Sequence, residues 1–351
     1  MKRALTIWIV LLAAGSHLLA QENIPVIDDL NLEALPARSK HRFWLKMVEN
    51  GMAQPVAVPV IIIKGKATHP VLGMTAAIHG NELNGIEVIR QVLQDINPDS
   101  LEGTLIAIPG LNAISIPLNE RSYVDEEDLN RIFPGKENGN NSQQYVWAIT
   151  QKILPQLDYL IDMHTASFGR ENTLYVRADL DDDKTAQMAY LQDADIILNN
   201  KGTPSANEQV TESGTMRAEA GLRGIPTITV EYGNPQVFQP DMIERGKTGV
   251  ENVMRWLGIT HGAIQKTQPA VICKKSYWTY VDRGGYLEVP VRLNQKISKG
   301  TAIGILRNPF GDVIKEYVCP QDGIVIGRST NPINMNGGRI IHLGILDEKR
   351  N

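Results

Sequence analysis

Two histidines and two glutamates carry the most chemical potential in this chain. His79 and Glu82 stand three apart in His79-Gly80-Asn81-Glu82. His164 sits in Asp162-Met163-His164-Thr165, and Glu231 in Thr229-Val230-Glu231-Tyr232-Gly233. Imidazole and carboxylate are both first-row metal ligands, and three protein ligands plus one open position is the donor count of a catalytic zinc. His79, Glu82 and His164 supply that count, for one Zn2+ per chain. Zinc activates water near neutral pH, and a carboxylate must then take the proton and pass it to the leaving group. Glu231 is the candidate for that task. A lone His-x-x-Glu is more often a surface turn of unrelated polar residues, and only the placement of the other side chains can lower that reading.

Residues 71–78 form an apolar run that reads as a buried strand ending at His79. Leu83, Ile86, Ile89, Val92, Leu93 and Ile96 follow at helical spacing. Residues 104–109 give a second strand, stopped by Pro109-Gly110. Residues 158–164 give a third, ending in His164, and 226–231 a fourth, ending in Glu231. Helices are predicted over 143–154, 183–199, 211–223 and 241–257, and a leading strand or hairpin within 21–70. This order predicts an α/β fold with a mainly parallel, mixed sheet, flanking helices and right-handed crossovers. Parallel strands deliver their C-terminal ends to one edge, which brings His79, His164 and Glu231 together.

Supporting groups are legible too. Metal-bound imidazoles usually donate their second N–H to a carboxylate or carbonyl. Asp162 shares a strand face with His164, and Asp128 comes from a long polar loop over 110–142, of the kind that is usually functional. Ordinary loop and cap chemistry is the other reading of both. Asn130-Arg131 offers an amide beside a planar guanidinium, the fork suited to a carboxylate. Arg121, Arg170, Arg177 and Arg217 lie on segments that could face the site, although any one of them can equally be a solvated surface charge. Zinc beside several arginines suits an acidic substrate.

The texture changes after a linker over 260–271. Short β runs alternate with Gly-rich turns, which predicts a small all-β domain over 271–351, following a catalytic domain over 21–262. At the other end, Lys2 and Arg3 precede an apolar run to Ala14, and Ala20 is followed by Gln21-Glu22-Asn23. That order predicts a secretory signal over 1–20, too short for a comfortable transmembrane span, with export of the mature chain to the periplasm or beyond. An uncleaved anchor is the alternative. The only two cysteines, Cys273 and Cys319, can pair in an oxidising compartment or stay buried and reduced. The 351 residues are 42% hydrophobic and carry a net charge of -4 without a basic run, so no nucleic-acid partner is indicated.

Taken together, His79-Gly80-Asn81-Glu82, Asp128-Leu129-Asn130-Arg131, Asp162-Met163-His164-Thr165 and Thr229-Val230-Glu231-Tyr232-Gly233 resemble the succinylglutamate desuccinylase/aspartoacylase family, a branch of the zinc carboxypeptidase-like fold. The resemblance runs in order from about residue 55 to 345. It implies His79, Glu82 and His164 as zinc ligands and Glu231 as general base and later acid. It implies Asn130 and Arg131 as the clamp on a substrate carboxylate, Asp128 as the partner of His79, and Arg121 as an oxyanion stabiliser. The C-terminal part is similar to a barrel-sandwich hybrid, without the Met-Lys-Met of a biotinyl carrier. The expectation is an exported, zinc-dependent amide hydrolase acting on an N-acyl amino acid, or a similar small molecule with a free carboxylate. The runner-up is a carboxypeptidase acting on peptides or cell-wall stems. A binding protein that kept the zinc site without turnover is a third reading, against which Glu231 argues. The β-domain is expected to cover the crevice and limit substrate size.

Overall fold

A computed structural model describes residues 23–202 and 214–351. The signal expected over 1–20, and the start of the helix expected over 211–223, fall outside those residues. Within them the strands are β1 (Val26–Ile27), β2 (Ser39–Glu49), β3 (Pro55–Lys64), β4 (Val71–Ala76), β5 (Thr104–Ile108), β6 (Tyr159–His164), β7 (Arg170–Asn172), β8 (Leu174–Ala178), β9 (Ile196–Asn199) and β10 (Thr227–Tyr232). The C-terminal part adds β11 (Val271–Tyr280), β12 (Gly285–Glu288), β13 (Lys296–Ile297), β14 (Ala302–Arg307), β15 (Val313–Val318), β16 (Gly323–Ser329), β17 (Ile333–Asn334) and β18 (Arg339–Leu346). The helices are α1 (Asn84–Gln94), α2 (Asn141–Lys152), α3 (Asp183–Tyr190), α4 (Met216–Leu222) and α5 (Pro240–Trp256).

The four strands β5, β4, β6 and β10 run parallel and side by side at the centre of a mixed sheet. Side chains alternate across a strand, and here the alternation divides packing from chemistry. Ile161 and Met163 of β6 and Ile228 and Val230 of β10 join the core formed with α1, α3 and α5. Asp162, His164, Thr229 and Glu231 project from the opposite face, the side on which α4 packs. α1 buries Val88, Ile89, Val92 and Leu93, each such side chain contributing about 1.5–3 kcal/mol through removal from water. A second core joins α2, α4 and the β2–β3 hairpin through Tyr145, Ile149, Ala220 and Leu45. The N-terminus of α2 is fixed by a reciprocal capping pair, Asn140 and Gln143.

The helix expected over 183–199 is shorter. α3 starts at the Asp182 cap and ends at Tyr190, and Ile196–Asn199 is a strand. Its β-branched pair is buried between β8 and β11, with a parallel partner on each side. β7 and β8 were also not expected, and β8 runs antiparallel to β10.

Beyond the 260–270 coil, β11 adds to the same large sheet by pairing with β9, and β18 and β16 continue it. β15, β14, β12 and β17 form a separate antiparallel sheet of four strands. Leu306, Ile303, Leu343 and Val325 pack between the two. Cys273 and Cys319 are both buried free thiols in different clusters, and burial pushes the Cys273 thiol up to about 12. Among the described residues no helix is long and apolar enough to cross a membrane.

Candidate metal and catalytic site

The site begins where β4 ends. Ala77 takes a left-handed turn, φ 58°, a costly conformation for a residue with a Cβ, and swings the chain into the loop that carries His79 and Glu82. Gly80 allows this loop to lie against the next one: a Cβ there would stand 2.3 Å from the Ser115 carbonyl carbon. The loop is then tied across the sheet edge. Asn84 donates to the Tyr232 carbonyl at 2.7 Å and accepts from Gln239 N at 2.9 Å, while Asn81 O accepts from Gln236 N at 2.9 Å.

His164 is the last residue of β6, and Glu231 pairs with it in register on β10. The three ligand candidates His79, Glu82 and His164 are buried, with one ligand atom of each lying within 4.8 Å of the others. Glu82 lies between the imidazoles: Oε1 is 3.0 Å from His79 Nδ1, and Oε2 is 2.8 Å from His164 Nδ1. The outer nitrogens point the other way, His79 Nε2 to Asp128 Oδ1 at 3.0 Å and His164 Nε2 to Asp162 Oδ2 at 2.9 Å. Thr75 donates to Asp162 Oδ1 at 3.0 Å, and the Asn130 backbone N–H donates to Asp128 Oδ1 at 2.9 Å.

This donor set fits a metal ion. A neutral imidazole has one N–H. If it donates outward to its carboxylate, Nδ1 presents a lone pair to the Glu82 oxygens, and a cation between them removes that repulsion. On the His79 side the Arg121 guanidinium reaches both atoms, 3.2 Å from His79 Nδ1 and 2.9 Å from Glu82 Oε1. Charge balance points the same way. Burial acts to raise the Glu82 carboxyl, but His79 and His164 hold it well below the usual range. Burial likewise acts to lower His164, while Asp162 and Glu82 hold it well above its ordinary value. Glu82 is therefore ionised between the two imidazoles, the form in which a carboxylate can act as a ligand. Asp128 is held far below the carboxylate range against burial by His79, Arg121 and Arg131.

The other candidates divide. Arg121 is at the centre: it donates to Glu82 Oε1 at 2.9 Å, to Asp128 Oδ2 at 2.7 Å and to Ser167 Oγ. Asn130 is buried, and its side-chain oxygen accepts from Met216 N at 2.8 Å, so its amide N–H groups are what it can offer a ligand. Arg131 is anchored on the Asn130 carbonyl at 2.8 Å. Arg177 Nε lies 3.8 Å from Glu231 Oε1. Arg217 is drawn away onto Asn200, at 2.8 Å to its carbonyl and 2.7 Å to its side chain. Arg170 is pushed down to about 10 by burial, with Arg121 and Arg339 adding repulsion.

Several residues at the site had no sequence signal. Ser167 donates to Glu82 Oε1 at 2.6 Å, and Asn172 donates to Glu231 Oε2 at 3.3 Å. The C-terminal strands also reach the site. Trp278 stacks on His342, with ring centroids 5.2 Å apart, and the Arg170 and Arg339 guanidinium carbons lie 5.9 and 5.6 Å from the Trp278 ring. Tyr175 meets His342 edge-on at 5.9 Å. Burial, then Arg177, Arg170 and Arg339, keep His342 well below its usual range and so neutral. The alternation of Tyr175 and Arg177 on one side of β8 was the signal available for that wall.

The sequence profile of the Succinylglutamate desuccinylase/Aspartoacylase catalytic domain matches residues 68–257. The chain belongs to that family. The family is one of metal-dependent amide hydrolases, and this member carries the buried His79, Glu82 and His164 group. It is 23% identical over 297 residues to the N-alpha-acetyl-L-2,4-diaminobutyric acid deacetylase of Halomonas elongata, covering 82% of this chain and 84% of that protein. Among solved folds, a succinylglutamate desuccinylase/aspartoacylase of Rhodobacter sphaeroides superposes with a TM-score of 0.80 at 20% identity, over 92% of this chain and 99% of that one. The product-bound ectoine utilization protein EutE of Ruegeria pomeroyi gives 0.78 at 19%, over 89% and 98%. These structural likenesses show the mixed α/β sheet and the small C-terminal sheet shared with the family.

The carboxylates behind the imidazoles provide a first test. Asp162→Ala removes the acceptor at His164 Nε2. Metal affinity is expected to fall by about 10–100-fold, the usual effect of losing such a partner, as read by competition with a chelator. Unchanged affinity would mean that Asp162 does not orient His164.

Proposed function

We propose that the chain is a zinc-dependent deacylase that cleaves an N-acyl amino acid, or a similar small amide beside a free carboxylate. The observation that carries this reading is the convergence of His79 Nδ1, Glu82 and His164 Nδ1 with a carboxylate, Glu231, at the register position beside His164. When bound, zinc supplies the Lewis acidity that activates water and polarises a carbonyl. Glu231 takes the proton of the attacking water and returns it to the departing nitrogen. Arg121 presents its guanidinium where negative charge develops on the carbonyl oxygen. Asn130 and Arg131 fix the substrate carboxylate, and Asp128 and Asp162 hold the imidazoles in their metal-binding orientation.

Substrate size and charge follow from the walls. Trp278 and His342 pack against Arg170 and Tyr175, so the C-terminal strands narrow the crevice. This supports a small N-acyl amino acid over an extended peptide. Arg170, half-buried, and Arg339, exposed, add positive charge beside the Trp278 ring, which supports an acidic substrate end. The chain is further proposed to act after export, on the strength of Lys2, Arg3 and the apolar run that follows them.

The test is release of free amine from a panel of N-acetyl and N-succinyl amino acids with acidic, neutral and basic side chains, alongside dipeptides. Turnover of N-acyl amino acids, best with acidic side chains, is expected. Turnover of dipeptides alone would favour the carboxypeptidase reading, and none at all, with metal bound, a binding protein. Within the panel, Arg131→Lys keeps charge but loses the planar fork. Its cost is expected in KM, about 1–3 kcal/mol for substrates with a free carboxylate, with little change for their amidated forms. Equal losses for both would place Arg131 outside the carboxylate site.

A further inference from the structure

Glu231 needs more than ionisation to act as a base: its carboxylate must be aimed. Its Oε2 accepts from Asn172 Nδ2 at 3.3 Å, while Oε1 lies 3.8 Å from Arg177 Nε. Asn172 is buried, 6% exposed. It is the last residue of β7, a three-residue strand whose ladder partner is not in the catalytic half of the chain. β7 pairs antiparallel with β16, Gly327 opposite Asn172 and Arg328 opposite Glu171. The pairing is locked on either side by an ion pair between Arg328 and Glu171 and by Thr173 N donating to Ile326 O at 2.9 Å.

The amide of Asn172 is wedged between these two elements. Its nitrogen faces Glu231, and its oxygen faces the backbone of Gly327. A Cβ at position 327 would stand 2.4 Å from Asn172 Oδ1 and 3.0 Å from Glu171 O, closer than real side chains approach, so this amide rotamer requires glycine there. Asn172 Oδ1 is buried, and among the described residues nothing donates to it. A buried polar atom left unsatisfied costs stability and calls for an explanation. An apolar residue at 172 would avoid that cost, but it would leave Glu231 Oε2 without the amide N–H that now reaches it.

Tyr175 and Arg177 reach Glu231 as well. We propose that Asn172 is a positioning residue of Glu231, alongside these two, and that strand β16, through Gly327, sets its orientation. The C-terminal strands then do more than wall the crevice, because through β7 they hold the proton-transferring carboxylate in place. This rests on the reading of Glu231 as the base, and the test separates the two.

Asn172→Ala and Gly327→Ala are measured with a turned-over N-acyl amino acid, each alone and combined with Glu231→Gln. Asn172→Ala is expected to lower kcat about 10-fold or more, the scale of a hydrogen bond to a charged group, with KM and metal content held. Gly327→Ala is expected to act in the same direction by displacing the amide. In the Glu231→Gln background, Asn172→Ala should cost little further, because residues acting through one another are not additive. Wild-type kcat in folded Asn172→Ala protein would overturn the proposal, as would an equal loss in the Glu231→Gln background. Near-wild-type activity of Glu231→Gln alone would instead overturn the assignment of the base.

Discussion

Glu231→Gln is expected to lower the deacylation rate by about 10²–10⁴-fold, the range for loss of a general acid–base group, while metal content stays at the wild-type level. The substitution keeps the shape of the side chain, and its amide oxygen can still accept from Asn172. What it loses is the capacity to take a proton. Glu231 is not one of the grouped ligand candidates, so metal content and rate should separate. Loss of metal together with activity would place Glu231 among the ligands, and retained activity would remove it from the mechanism.

His164→Ala is expected to do the reverse and remove the metal itself. It deletes one of three inward-facing donors and leaves Asp162 buried, still bonded to Thr75 but without its imidazole. Metal affinity should fall by more than the ~100-fold upper range for losing a partner behind a ligand, with activity at least as low as in Glu231→Gln. The thermal midpoint should drop as well, because a buried carboxylate that loses its imidazole partner costs about 1–3 kcal/mol. Full metal occupancy in a folded His164→Ala protein would contradict the ligand assignment.

The sequence was informative where one strand or one turn carried the signal. The apolar run before His79, the strand ending in His164 and the strand ending in Glu231 are each contiguous, and parallel pairing places their ends side by side. Asp162 is two residues from His164, so the face they share follows from strand geometry alone. What stayed hidden depends on pairing between distant segments. Arg170–Asn172 is too short to read as a strand and exists because β16 pairs with it. Ile196–Asn199 continues in sequence from a true helix, and only its burial between β8 and β11 makes it a strand. Residues after 271 read as a self-contained β module, yet β11 and β18 extend the large sheet and bring Trp278 and His342 to the wall beside Tyr175. Arg217 is by sequence a candidate to face the site; its charge interacts with Asp162 and Arg177, but its donors are taken up by the Asn200 carbonyl and side chain.

Deacylation by this chain is proposed to depend on one metal ion held at His79, Glu82 and His164. The most direct measurement is titration of metal-stripped protein with zinc while free amine released from an N-acyl amino acid is followed. No turnover is expected without metal, and a linear rise saturating at about one zinc per chain, with His164→Ala giving no such rise. Turnover by the stripped protein, or a rise unaffected by His164→Ala, would contradict that dependence.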